Sequence, residues 1–168
     1  MNPTHLHIIL VHVPVAALLF GALSLKIGTF WNSRPAQFLG YAVIFGGILA
    51  AFASGATGEE AEEALEALGG FSHELIHEHE EAAEGFMIGI WSLSALALIG
   101  FVLLLRNHAK AKLFAWIVLI YASVVSLGGM RVGYLGGQIS HPEAYDQPAA
   151  VAADPVDEAV GEPAEDRE

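Results

Sequence analysis

The sequence predicts an all-α fold, a bundle of four transmembrane helices with an acidic extracytoplasmic loop and a disordered acidic C-terminal tail. Three observations predict it. Hydrophobic residues make up 54% of the 168 residues and charged ones only 15%, against roughly 25% charged in soluble domains. The 19 carboxylates fall in two blocks, ten in residues 59–84 and nine in residues 143–168, and none lies in 1–58 or 85–142. Four apolar runs, about 6–29, 38–56, 85–105 and 113–135, each approach or exceed the roughly 20 residues that cross a bilayer. A soluble fold cannot cover its surface with such stretches, so a water-soluble enzyme is excluded and no catalytic role is expected. A net charge of −12 argues against a nucleic-acid partner. With no cysteine there is no disulfide, no cysteinyl zinc site, no iron–sulfur cluster and no thioether-linked haem.

The first run opens His5-Leu6-His7, lacks a basic leader and is too long for a signal-peptide core, so it reads as a retained helix. Lys26 and Arg34 follow it, and Arg106, Lys110 and Lys112 lie between the third and fourth runs. The positive-inside rule makes these loops cytoplasmic and both termini extracytoplasmic. The second run carries small residues at four-residue spacing, Gly46-Ala50-Ser54 and Gly47-Ala51-Gly55, and the fourth carries Gly129, Gly133 and Gly137. Such rows allow close helix approach, within the bundle or against a homo-oligomeric or other membrane partner. In the outer loop, 57–84, a short acidic helix is expected over 59–68, ended by Gly69-Gly70. Ser72 is a candidate N-cap for a helix that runs on into the third span, projecting about two turns above it. Residues 1–141 form the bundle. The tail, 142–168, rich in Pro, Ala, Asp and Glu, is expected to be disordered.

Seven of eight histidines, His5, His7, His12, His73, His77, His79 and His141, fall at or above the outer ends of the spans. Only His108 lies in a cytoplasmic loop. Imidazole is the commonest transition-metal ligand and a common haem ligand. His73 and His77 share a helical face, which suits either a chelate or a solvated surface among Glu74, Glu78, Glu80 and Glu81. His12 lies inside an apolar run beside Pro14, where an unpaired polar ring is costly. Arg131, near the outer end of the fourth span, can snorkel, pair with Glu84 or meet an anion such as a haem propionate.

The segment His7-Ile8-Ile9-Leu10-Val11-His12-Val13-Pro14 resembles the HPxxVHFP opening of a bacterial family of predicted four-helix membrane proteins called domain of unknown function 2231. Thr57-Gly58, His79-Glu80 and Leu135-Gly136-Gly137-Gln138 followed by His141 match further motifs of that family in order. Ile8 stands where the family has Pro, and Pro142 where it has Gly. The resemblance covers about 4–141, implies a multi-pass protein of the bacterial inner membrane, and singles out His7, His12, His79 and His141. It implies no activity.

Two ligand chemistries fit those residues. One is haem b held between helices, with His12 and Arg131 among the contacts. A count of about 20 residues per span places His79 above the membrane and His12 within it, so that pair does not meet across one iron on straight helices. A His12–methionine pair, with Met87 or Met130, is an alternative. The other is a transition metal, Zn, Cu or Fe, at the outer mouth, held by His7, His12, His79 and His141 with carboxylates such as Glu80 and Glu84. Either fits electron transfer. The rival reading is a cofactor-free accessory subunit of a larger membrane complex, whose acidic loop and tail contact a soluble extracytoplasmic protein.

Overall fold

A computed structural model describes residues 3–68 and 72–145, and among them the chain is helical, without strands. The helices are α1 (Pro3–Leu10), α2 (His12–Phe30), α3 (Arg34–Ala56), α4 (Gly58–Leu68), α5 (His73–Leu105) and α6 (Ala111–Ser140), followed by a 3-10 turn, Pro142–Tyr145. The expectation of disorder beyond Tyr145 falls outside the described residues.

The first apolar run is divided at Val11 into α1 and α2. Pro14 explains the break: it has no N–H to give to the carbonyl of Leu10, and its ring crowds that carbonyl. The helix of the second apolar run, α3, begins at Arg34, earlier than that run, with Pro35 in its first turn, where a missing N–H costs nothing. Ser72 caps α5, its hydroxyl accepting from the N–H of Leu75 at 3.4 Å. α5 has 33 residues, or about 50 Å at 1.5 Å per residue. Its apolar part, after Glu84, is long enough to cross a bilayer. Residues 73–84, which include five glutamates, extend beyond it by about three turns, one more than the sequence suggests.

Two tight turns close one end of the bundle. Asn32 (φ 53°) and Asn107 (φ 51°) take the left-handed conformation that ends a helix in a Schellman motif. The accompanying bonds are present, Ser33 N–H to Gly28 O at 2.8 Å and His108 N–H to Leu103 O at 2.9 Å. Lys112 Nζ donates to Asn32 Oδ1 at 3.3 Å and an Arg34 guanidinium nitrogen to Leu104 O at 3.1 Å. The two basic turns therefore lie side by side, and the helices run antiparallel in sequence.

α2 packs on α3 and α5 on α6, and contacts of α2 with α6 and α3 with α5 close a square. Leu18, Leu25, Tyr41, Ile44, Ile90, Leu93 and Val118 fill its centre, fully buried. The outward faces carry Phe20, Leu49, Ile88, Trp91 and Leu127, each at least 65% exposed. Such a surface suits hydrocarbon and not water. Four helices are thus long and apolar enough to cross a membrane. Several serine hydroxyls within these helices turn back on their own backbone, as with Ser94 to Ile90 O and Ser126 to Ala122 O, both at 2.7 Å, so they add little polar cost in an apolar setting. Ser24 instead donates to Ala36 O of α3, and the Thr29 and Tyr41 hydroxyls are buried with no partner among the described residues.

Candidate functional site at the histidine end

The end of the bundle opposite the basic turns gathers the N-terminus of α2, the C-termini of α3 and α6, and the extension of α5. The break at Val11 lets α1 lie against α4 and the end of α3. This seats His7 at the α3–α4 junction. Its Nδ1 lies 3.1 Å from Ser54 O and 3.1 Å from Thr57 Oγ1. A carbonyl oxygen only accepts, so Nδ1 carries the proton and donates. The Thr57 hydroxyl itself donates to Ser54 O at 2.9 Å, which leaves its oxygen free to accept from His7. Gly58 faces the ring, with room for a methyl 3.7 Å from Cε1.

His79 mirrors this arrangement on the other half of the chain. It stands on the extension of α5, half-buried against α6, and its Nδ1 donates to Val132 O at 3.1 Å. Gly136, one turn further along α6, makes space for the ring: a Cβ there would lie 3.3 Å from His79 Cε1. Burial lowers the pKa of His79 below the ordinary 6.5; the bond to Val132 opposes this, His7 reinforces it, and Glu80 opposes it.

In the neutral rings Nδ1 holds the proton, so each Nε2 keeps its lone pair. A histidine with one nitrogen tied to a carbonyl and the other bare has the tautomer and the restraint that metal-ligating imidazoles show.

The remaining candidates differ in their exposure. His12 is exposed on the first turn of α2, and His141 is exposed at the C-terminus of α6, where its N–H closes the helix on Gly137 O. Among the described residues no three His, Asp or Glu side chains are grouped as a metal would need. His5, His73 and His77 are exposed. His108, at the far end, accepts from the N–H of Lys110 at 3.2 Å and so caps its own turn. Met87 packs near Gly55, and Met130 is exposed. Arg131 is exposed and lines a groove with Glu81 and Glu84.

The supporting groups, Ser54, Thr57, Gly58, Val132 and Gly136, carry no side-chain chemistry that marks a site in the sequence. Thr57, Gly58 and Gly136 sit in the short motifs shared with the family, and that was their only signal. Backbone carbonyls such as Val132 O leave no mark in a sequence.

The family model for domain of unknown function 2231, described as a predicted membrane protein, matches residues 3–144. No curated protein and no solved structure matches the chain.

Proposed function

We propose, for a chain that belongs to the domain of unknown function 2231 family of predicted membrane proteins, that His7 and His79 are the two protein ligands of a transition metal or haem b iron. One observation carries this reading: two imidazoles from separate halves of the chain each have Nδ1 fixed on a main-chain carbonyl. The positive-inside rule would put this end outside the cytoplasm.

Two imidazoles without a third protein donor suit an ion that keeps open positions for water or an exogenous ligand. They would equally suit haem b, whose iron takes histidine ligands. An iron or copper centre there would supply one-electron chemistry. The part of the chain is to hold two imidazoles at fixed tautomer and to shield them with α1 and α4. His12 and His141, the other ligands expected from the sequence, are not required by this pair.

The test is the protein itself, purified in mild detergent, with its metal content and visible spectrum measured before and after exposure to Zn, Cu, Fe and haem. A Soret band identifies haem, and a stoichiometric metal without it identifies an ion site. His12→Ala retains either. Neither haem nor metal in the wild type refutes the pair as a ligand set and favours the accessory-subunit reading.

A further inference from the structure

A second feature lies on the outward face of the bundle, between α5 and α6. A groove of about 430 Å³ runs along the two helices there, open on one side. Its lower part is apolar, floored by Gly89 and Gly128 and walled by Phe86, Ile88 and Val124. Its upper rim carries Arg131 from α6 and Glu81 and Glu84 from α5. Glu84 is the last carboxylate before the apolar run of α5, so this rim marks the level where the hydrocarbon boundary falls.

Three features of the rim bear on what would occupy the groove. Arg131 lies in a groove with two glutamates, yet no ion pair joins it to either among the described residues. Its guanidinium keeps its fork of N–H donors for a phosphate or carboxylate. The rim as a whole is net negative, which disfavours an anion that brings no positive charge of its own. The carboxylates in turn accept hydrogen bonds and do not donate them.

The geometry points to a binding site for one phosphatidylethanolamine molecule, its phosphate on Arg131, its ammonium between Glu81 and Glu84, and an acyl chain in the apolar groove. Ethanolamine fits better than choline because an ammonium donates three hydrogen bonds to the carboxylates, and a trimethylated nitrogen donates none. The groove floor supports the acyl part. Gly128 leaves its nearest neighbour, Phe86, 4.0 Å from the place a Cβ would take, and a Cβ on Gly89 would press on Val125 at 3.2 Å. Position 128 is therefore open toward the lipid, and position 89 lets α5 and α6 close beneath it. From Arg131 down to Val124 is seven residues of α6, about 10 Å of acyl chain at 1.5 Å per residue. The site shares no residue with the histidine pair, although Glu81 lies two positions after His79 and Arg131 immediately before Val132.

The experiment is native mass spectrometry of the full chain released from nanodiscs made of equal parts phosphatidylethanolamine, phosphatidylcholine and phosphatidylglycerol. One phosphatidylethanolamine should be retained, on the order of tenfold over the other two, the scale of one charge-assisted contact. R131Q should abolish that retention. The double variant E81Q/E84Q should shift it toward phosphatidylglycerol, because Arg131 then faces the headgroup without opposing carboxylates. Soluble phosphoethanolamine without acyl chains should not compete. Retention that ignores headgroup in the wild type, or that survives R131Q, overturns the proposal. All three side chains are exposed, so these variants keep the bundle, and the melting temperature in detergent checks that they do.

Discussion

At the scale of the residue, the account depends on two histidines being held still. The glycines that face them test this. Gly136→Ala would set a methyl 3.3 Å from His79 Cε1, tighter than ordinary contact, so the ring must shift; Gly58→Ala would sit 3.7 Å from His7 Cε1, within it. Metal or haem affinity should fall in the first and stay close to wild type in the second, as read by titration. His79 also predicts a pH dependence. Its folded pKa lies below the unfolded 6.5 because burial disfavours the charged ring. As pH falls below 6.5 the unfolded chain takes up a proton that the folded chain resists, so stability declines until the folded pKa is passed. His79→Gln should flatten the thermal stability profile between pH 7.5 and 5.5, and an unchanged slope would remove this role. The clustering of histidines toward one end is visible in the sequence because spans and loops fix their level. Which of them face inward is not, since that depends on the rotation of α2 and on carbonyls from distant helices.

At the scale of the element, apolar length and the absence of carboxylates suffice to find all four spans, because a bilayer leaves few other ways to satisfy a backbone. Their ends and packing were harder to read. Pro14 stands two residues after His12 in the sequence, and the apolar run continues through it without marking the break that frees α1. The small-residue rows were only partly predictive. Gly47 and Ala51 do pack inside the bundle, whereas Gly46 and Gly133 face open space. The tightest approaches of α2 to α3 are at Gly28, Gly40 and Gly21, which lie outside those rows: a Cβ on Gly28 would fall 2.5 Å from the Gln37 nitrogen, one on Gly40 2.6 Å from the Leu25 nitrogen and one on Gly21 2.7 Å from Ile44 Cγ1. At Gly28 and Gly40 the neighbour is backbone, which cannot yield without moving the chain. Gly40→Ala should therefore destabilise the bundle by about 1–3 kcal/mol, the usual cost of overpacking. Gly46→Ala should be neutral or slightly stabilising, since alanine favours a helix. Thermal unfolding in detergent compares the two, and equal melting temperatures would contradict the packing described.

For the whole molecule, charge asymmetry sets the expected orientation. Reporter fusions after Arg34 and after Lys110 should read cytoplasmic, and one after Gly70 extracytoplasmic. A cytoplasmic reading at Gly70 would reverse the bundle and turn the histidine end inward. The composition that makes the membrane reading firm is silent on chemistry, because lipid contact constrains most side chains and the site uses two. The most direct measurement is the amount of metal or haem bound per chain in wild type, His7→Ala and His79→Ala, with His108→Ala as the control at the opposite end. Binding near one per chain in wild type and the control, lost in both of the other variants, is the predicted result. Full occupancy in His7→Ala or His79→Ala, or none in wild type, would contradict the account.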